Sequence, residues 1–245
     1  MIELIKSLNV YNVFSPKVRI GTTADGGYIV NELLTSFTQR LISIGMGLED
    51  TFEVEWFGKY NTFIEAYDGT YICQTLCPKY NEFVNEKIFY INHNVGYGQK
   101  DIPLDVILSG KQDVLLKMDT EGAEYKLLNK PLPSNVVGVL LEVHDLQVKE
   151  NQQKLVDILQ NSLKDYFIFH IHGNSWAHTF DLDVSKLQNN AVVVKDFPTV
   201  LELSFIHKRL LSNWELDSAQ YPIAGLDYSN KPDASDIPLK WINSF

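Results

Sequence analysis

Polar side chains that could carry out chemistry follow directly on apolar, strand-like runs of this sequence: they are Asp119, Glu142, His144, His172 and Asn174. A histidine titrates near neutral pH and can take a proton from a hydroxyl group, so His144 is our first choice for a general base. A histidine at a strand end can equally have a structural role. The other four residues could coordinate Mg²⁺, but their spacing defines no ligand set, and we predict no metal site.

The stretch 41–70 predicts the element that would hold a cofactor beside these side chains. It reads as a strand ending at Gly45 and Gly47, then a helix, then a second strand closed by Asp68. Glycines at such a turn let a ligand approach the backbone closely. Asp68 follows them by about 20 residues, the offset at which an acid binds ribose hydroxyls in nucleotide-binding folds. A nucleotide-like ligand is therefore favoured over an ordinary strand-to-helix turn.

The spacing within this turn favours S-adenosylmethionine over a dinucleotide. The pattern is Ser43-x-Gly45-x-Gly47-x-Glu49, with Asp50 next, so the third glycine of a dinucleotide site is missing. Two acids at the start of a helix would repel a pyrophosphate. They would attract the sulfonium and amino groups of S-adenosylmethionine.

Two further segments contribute to the predicted cofactor site. Asp25-Gly26-Gly27 predicts a hairpin turn, which is either a plain hairpin or a loop that brings Arg19, Asp25 or Tyr28 to the cofactor. Asn94 follows the strand-like run 87–92 and could hydrogen-bond the adenine. The candidate cofactor-binding residues are Ser43, Gly45, Gly47, Glu49, Asp68, Asn94, Asp25 and Asp119.

The elements that must position these residues alternate between strand-like and helical patterns. This predicts an α/β fold with a doubly wound parallel sheet, whose ligands gather at the carboxyl ends of its strands. We expect a single domain over 1–245, with an N-terminal extension over 1–40, the core sheet over 41–212 and an irregular tail over 213–245. The extension begins with a short amphipathic helix. This helix would cover either the sheet or a partner subunit, and in the second case the protein would be a homodimer.

Composition narrows the expected partners. The net charge of -10 and the pI near 5.0 argue against binding to nucleic acid or to an anionic membrane, which leaves a small-molecule or glycan-precursor acceptor. The N-terminus lacks the pattern of a signal peptide, which predicts a cytoplasmic location, and Cys73 and Cys77 are expected to be free thiols. The only arginines are Arg19, Arg40 and Arg209, so few residues could grip a phosphate.

The stretch 115–128 resembles the FkbM-like family of S-adenosylmethionine-dependent methyltransferases, which carry a K-x-D-x-E-G-x-E segment after the fourth sheet strand. The matching residues are Lys117, Asp119, Glu121, Gly122 and Glu124; residues 25–28, the glycine turn, Asp68 and residues 226–230 are also similar to a subgroup of the family. The resemblance implies the class I methyltransferase Rossmann-like fold, with strand order 3-2-1-4-5-7-6 and the seventh strand antiparallel. It would place Asp119 and His144 on neighbouring strands beside the cofactor.

These features together predict an O-methyltransferase that acts on a hydroxyl of a glycan, a nucleotide-linked precursor or a phosphorylated small molecule. The resemblance implies a role in modifying surface polysaccharides or natural products. An NAD-dependent oxidoreductase is one alternative, although the third glycine and a Tyr-x-x-x-Lys pair are missing. A non-catalytic S-adenosylmethionine-binding module is another, against which Asp68 and His144 argue.

Overall fold

The computed structural model describes residues 2–70, 87–184 and 193–244. Residues before the central sheet form α1 (Ile2–Ser7), β1 (Tyr11–Asn12), β2 (Lys17–Ile20), β3 (Tyr28–Asn31) and α2 (Glu32–Phe37). The strands β2 and β3 pair antiparallel, as the glycine-rich turn between them predicts. The predicted free thiols Cys73 and Cys77 lie outside the described residues.

The first half of the core alternates strands and helices. Its elements are β4 (Arg40–Ile44), α3 (Thr51–Tyr60), β5 (Phe63–Tyr67), β6 (Ile88–Ile91), α4 (Leu104–Leu108) and β7 (Val114–Met118). In α3, Phe52, Trp56 and Tyr60 recur every four residues, which indicates one apolar face of a helix. Phe52 and Trp56 are buried and Tyr60 is half-buried, so this face packs inward.

The second half contains the longest strands. Its elements are α5 (Glu124–Leu127), β8 (Val136–Val143), α6 (Lys149–Asp157), a π-helical turn (Ile158–Ser162), β9 (Tyr166–Gly173), β10 (Thr179–Asp183), β11 (Val193–Pro198), β12 (Leu201–His207) and β13 (Glu215–Leu216), with a 3₁₀ turn (Lys208–Leu210) after β12. The acidic residues from Thr120 onward are typical of a helix start, but helix α5 begins only at Glu124, because Glu121 and Gly122 both take positive φ and form a turn first.

Among the described residues, the central sheet has seven strands in the order β6-β5-β4-β7-β8-β12-β9. Strand β12 runs antiparallel to both of its neighbours, whereas the other pairs are parallel. Counted along the chain within this sheet alone, the order is 3-2-1-4-5-7-6. The predicted class I methyltransferase Rossmann-like fold is confirmed.

The structure adds pairings that the sequence patterns do not predict. Strands β10 and β11, which lie between β9 and β12 in the sequence, pair antiparallel as a hairpin. Strand β1 pairs with β13 from the tail. Most side chains of β10 and several of β11 are at least partly exposed, so the hairpin carries little of the apolar signal that marks a core strand.

No helix among the described residues is long and apolar enough to cross a bilayer.

Burial explains why the core strands could be recognised. All eight residues of β8 and all five of β7 are buried, because both faces of the sheet are covered. Parallel strands of this kind read as continuous apolar runs. Each fully buried leucine, isoleucine or valine contributes about 1.5–3 kcal/mol to folding. The core therefore holds the carboxyl ends of β4 to β8 at fixed positions along one edge.

Candidate active site

The two glycines of the turn after β4 have different roles: one allows a close backbone contact, and the other leaves space for a ligand. Gly45 and Gly47 have φ of 77° and 62°, a region that favours glycine. A Cβ on Gly45 would lie 1.5 Å from the carbonyl oxygen of Asp119, whereas one on Gly47 would meet nothing within 4 Å. Gly45 is therefore required by the contact of the turn with the end of β7, and Gly47 is the glycine that leaves room for a ligand.

A cleft of about 1050 Å³ opens at the carboxyl ends of β4, β5, β6 and β7. Every predicted cofactor-binding residue except Ser43 lines it. The Ser43 hydroxyl is buried and lies 2.5 Å from Glu53 Oε1, to which it donates a hydrogen bond. Ser43 thus supports the strand from within the core.

One end of the cleft is formed by the ends of β5 and β6. The Asp68 carboxylate accepts hydrogen bonds from the backbone N–H of Gly47 at 2.8 Å and from that of Thr70 at 2.7 Å. Gly69 lies against Asn94, whose Oδ1 would be 2.3 Å from a Cβ at that position. These contacts fix Asp68 and Asn94 relative to the glycine turn.

The two acidic residues at the start of α3 have different roles. Glu49 lines the cleft, and its Oε1 accepts a hydrogen bond of 2.9 Å from the backbone N–H of Thr51 in the first turn of the helix. Asp50 is fully buried, and the Tyr90 hydroxyl lies 3.4 Å from its Oδ2. Only Glu49 of the two acids therefore faces a ligand.

At the other end of the cleft, Asp119, Glu142 and His144 come together from the ends of β7 and β8. His144 Nε2 lies 3.8 Å from Asp119 Oδ1 and 3.5 Å from Glu142 Oε1. Asp119 lines the cleft, whereas Glu142 and His144 are buried next to Asp119 and do not line it. We call these three residues the carboxylate–histidine cluster.

Polar side chains from other segments position the carboxylates of this cluster. The Tyr28 hydroxyl lies 3.2 Å from Asp119 Oδ2 and 3.3 Å from Glu142 Oε2, and its hydrogen can be donated to either. Asn174 donates from Nδ2 to Glu142 Oε1 at 3.0 Å and lies 3.4 Å from Asp25 Oδ1. Asn174, a sequence candidate for catalysis, thus holds Glu142 in place.

The orientation of His144 is set by Glu124. One oxygen of the Glu124 carboxylate accepts the backbone N–H of His144 at 2.9 Å and lies 3.3 Å from its Nδ1. In the neutral tautomer that donates from Nδ1 to Glu124, the lone pair is on Nε2. Sequence reasoning did not select Glu124 or Glu121 as site residues, although both belong to the K-x-D-x-E-G-x-E segment; Glu121 Oε2 lies 3.4 Å from His144 Nε2.

Burial and like charge shift the titration of the cluster. Burial raises the pKa of Asp119 to about 6, against the lowering effects of Lys117 and His144. It also raises the pKa of Glu142 well above its usual range, and the charges of Asp119 and Glu202 add to this. Burial lowers the pKa of His144, but its hydrogen bond to the Glu124 carboxylate and the charges of the nearby carboxylates outweigh burial, so the net shift of the pKa is upward.

His172 is not brought to the cleft. Its Nδ1 lies 3.1 Å from Glu202 Oε2 in β12, and its Nε2 lies 3.1 Å from Asp236 Oδ1 in the C-terminal tail. Both ring nitrogens are therefore engaged, and only 2% of the side chain is exposed. Among the described residues, His172 reaches the other catalytic candidates only through Glu202, which has a carboxylate oxygen within 4.8 Å of one of Glu142, and it lies where the sheet meets the tail.

None of the arginines is available to a ligand in the cleft. Arg19 donates to the carbonyl oxygens of Thr22 and Ala24. Arg40 pairs with Glu65, and Arg209 pairs with Asp113. The one lysine among the described cleft-lining residues is Lys117, which is buried and lies 3.4 Å from Glu53.

No known protein family and no curated protein matches the chain by sequence. The solved structures that resemble it include a precorrin-6y C5,15-methyltransferase from Geobacter metallireducens GS-15, with a TM-score of 0.40 and 13% identity over 72% of this chain and 86% of that one. Another is a protein from Thermoplasma acidophilum for which methyltransferase activity is suggested, with a TM-score of 0.35 and 10% identity over 70% and 69%. At this level of similarity neither carries a functional argument, so function is inferred from the site.

Proposed function

We propose that the protein is an S-adenosylmethionine-dependent methyltransferase that methylates a hydroxyl group of a polar acceptor. The observation that carries this proposal is the composition of a single cleft. The glycine turn, Asp68 and Asn94 line one part of it, and Asp119 of the carboxylate–histidine cluster lines another, with His144 3.8 Å from Asp119. One end suits a nucleoside, and the other suits the removal of a proton.

The residues of the first end fit the cofactor. Gly47 leaves the backbone open to a ligand, and Asp68 and Asn94 are held at neighbouring strand ends. The carboxylates of Asp25 and Glu49 also line the cleft, which suits a ligand with positively charged groups. When bound, S-adenosylmethionine supplies a methyl group activated by its positively charged sulfur.

The residues of the second end would act on the acceptor. Glu124 holds the imidazole of His144, so that the Nε2 lone pair points toward Asp119 and Glu142. A lone pair at this position can take a proton from a hydroxyl or bind a cation. Both actions make the acceptor oxygen a better nucleophile.

The charge of the cleft narrows the proposed acceptor. The arginines are engaged elsewhere, and the described part of the cleft lining is rich in carboxylates. A phosphorylated acceptor would be repelled. We favour an uncharged polyol such as a sugar unit, which agrees with the glycan acceptors that the FkbM-like resemblance implies; membership of that family remains part of this proposal.

Calorimetry with S-adenosylmethionine and S-adenosylhomocysteine tests the cofactor assignment. We expect binding in the micromolar range, weakened about tenfold or more in Asp68→Asn, because a charged hydrogen bond contributes about 1.5–3 kcal/mol. Asp105→Asn is a matched control, since that carboxylate is exposed on α4 and pairs with Lys130. No binding at millimolar cofactor would overturn the proposal, as would tight binding of NADH in its place.

Transfer to a hydroxyl is tested separately with a labelled methyl donor. The acceptor panel should contain neutral sugars, their phosphorylated forms and amino sugars. Label that stays on a neutral sugar oxygen supports the proposal. Label found only on nitrogen or carbon would refute O-methylation while leaving the cofactor assignment intact.

A further inference from the structure

We propose that Asp119, Glu142 and His144 bind one divalent metal ion of the Mg²⁺ or Mn²⁺ class. The sequence spacing alone defines no such site, because the three residues come from two strands. The structure brings one ligand atom from each of them within 4.8 Å of the others. The binding of the ion does not depend on the proposed function, but its role in catalysis does.

The distances are close to those of a ligand set. His144 Nε2 is 3.5 Å from Glu142 Oε1 and 3.8 Å from Asp119 Oδ1. Adjacent ligands of an octahedral ion with bonds of about 2.1 Å lie about 3 Å apart. The ligand atoms of Asp119 and Glu142 lie within 4.8 Å of each other, so side-chain adjustments of about 2 Å or less would bring the three atoms onto one ion.

The position of His144 supports a metal site independently of the negative charge of the carboxylates. The residue is nine-tenths buried, and no hydrogen bond within the described part of the chain reaches its Nε2. Carboxylate oxygens of Glu121, Glu142 and Asp119 lie 3.4, 3.5 and 3.8 Å from that atom. Its Nδ1 is directed to Glu124. A metal-binding histidine characteristically donates its other ring N–H to a carboxylate in this way, which leaves the lone pair for the ion.

The carboxylates are likewise held from behind. Tyr28 contacts Asp119 Oδ2 and Glu142 Oε2, which leaves Asp119 Oδ1 directed to His144. Asn174 fixes Glu142 Oε1. Such second-layer hydrogen bonds orient the ligands of metal sites, and here each of the three residues has one.

The negative charge around Glu142 also favours the binding of a cation. Glu142 is 5% exposed. The one ammonium group in the described cleft lining belongs to Lys117, and it already pairs with Glu53. A second group, formed by Asp25, Glu142 and Glu202, adds further negative charge. That group offers only carboxylates, and Asn230 already donates to its two other members, Asp25 and Glu202, so we place the ion at the cluster that contains the histidine.

A metal ion at this position would change the part that His144 plays. One lone pair cannot take a proton and bind an ion at the same time. His144 would be a ligand, and the ion would orient the acceptor hydroxyl and lower its pKa. The acceptor would then lie between the ion and the cofactor end of the cleft.

Titration of the full chain with MnCl₂, followed by the EPR signal of free Mn²⁺, tests the site directly. We expect about one ion per chain, and an affinity at least about tenfold weaker in Asp119→Asn and in His144→Gln. Asp101→Asn is the matched control, because it removes a carboxylate from the other end of the same cleft. Glu202→Gln tests the neighbouring acidic group.

Two outcomes would overturn the proposal. One is no Mn²⁺ binding by the unaltered protein at millimolar concentration, which requires no variant to fold. The other is equal loss in Glu202→Gln with none in His144→Gln, which would move the ion to the purely acidic group. Binding of S-adenosylhomocysteine in the presence of EDTA keeps the two proposals distinguishable, since failure there counts against the cofactor assignment alone.

Discussion

His144 follows β8 and His172 lies near the end of β9, and each is buried among carboxylates. His144 has one ring nitrogen held by Glu124 and the other facing the cleft-side carboxylates. His172 has both nitrogens held, by Glu202 and Asp236. The first arrangement leaves a lone pair for a ligand, whereas the second uses the whole ring to fasten the tail.

The comparison shows that position at a strand end does not decide what a histidine does. Both residues meet the sequence criterion equally well, and carboxylates raise the pKa of both. What differs is the number of ring nitrogens that the protein itself occupies. We therefore expect substitutions at His144 to affect turnover, and those at His172 to affect stability.

The largest effect should follow from His144→Ala. Turnover should fall by about 10² or more, because either a proton acceptor or a metal ligand is lost. Binding of S-adenosylhomocysteine should stay within about twofold, since the cofactor end of the cleft is untouched. Near-normal turnover in steady-state assays would place His144 with His172 as a structural residue and break the comparison.

The next effect should follow from His172→Gln. Loss of a charged, buried hydrogen-bonding pair should cost about 2 kcal/mol, which lowers Tm by roughly 4–8 °C in a chain of this size. Turnover at a temperature where the variant is folded should change little. A fall in turnover comparable to that of His144→Ala would contradict the structural assignment.

The same variant has a pH signature. The hydrogen bonds of Asp236 and Glu202 outweigh burial and raise the pKa of His172 to about 10. A group whose pKa is raised by folding contributes stability fully below its unfolded pKa of about 6.5. That contribution is lost as pH rises through about 10. Tm of the unaltered protein should therefore fall more steeply between pH 7 and pH 10 than Tm of His172→Gln.

A smaller effect on turnover is expected for Glu124→Gln. The amide keeps the shape of the side chain but removes the negative charge that holds the His144 proton on Nδ1. Turnover should fall about tenfold, as is common when a second-layer partner of a histidine is changed. An unchanged rate would show that the orientation of His144 does not depend on this carboxylate.

The smallest effect is expected for Asp236→Asn. The Asp236 side chain is 22% exposed, and an amide oxygen can still accept from His172 Nε2. Unfolding free energy should fall by about 1 kcal/mol, or roughly 2–4 °C in Tm. A larger loss than in His172→Gln would mean that Asp236 stabilises the tail through contacts other than the histidine.

Much of the fold was predictable from local patterns. The sequence has strand-like apolar runs over 63–67, 135–143 and 166–172, and these match β5, β8 and β9 to within one residue. These segments are apolar at consecutive positions, and not only at alternate ones, because both faces of the sheet are covered. The β10–β11 hairpin was not predictable, because its largely exposed side chains leave no such pattern.

The site was predictable in its members but not in their relations. Gly45 was expected to make room for a ligand, yet the structure shows that it makes room for the backbone at Asp119. Ser43 was expected at the cofactor and instead lies in the core beside Glu53. In both cases the neighbour that decides the role comes from another element, and no spacing within the turn reports it.

By itself, the sequence determined the strands, the helices and the glycine turn, because side-chain periodicity and turn preference are local properties. It also determined that acids and histidines stand at strand ends. Only the tertiary structure decided which of them meet: His144 finds Glu124 20 residues away, and His172 finds Asp236 64 residues away in the tail. The order of the strands and the path of the tail set these encounters. They leave Nε2 of His144 beside the cleft-lining Asp119, whereas both ring nitrogens of His172 are engaged.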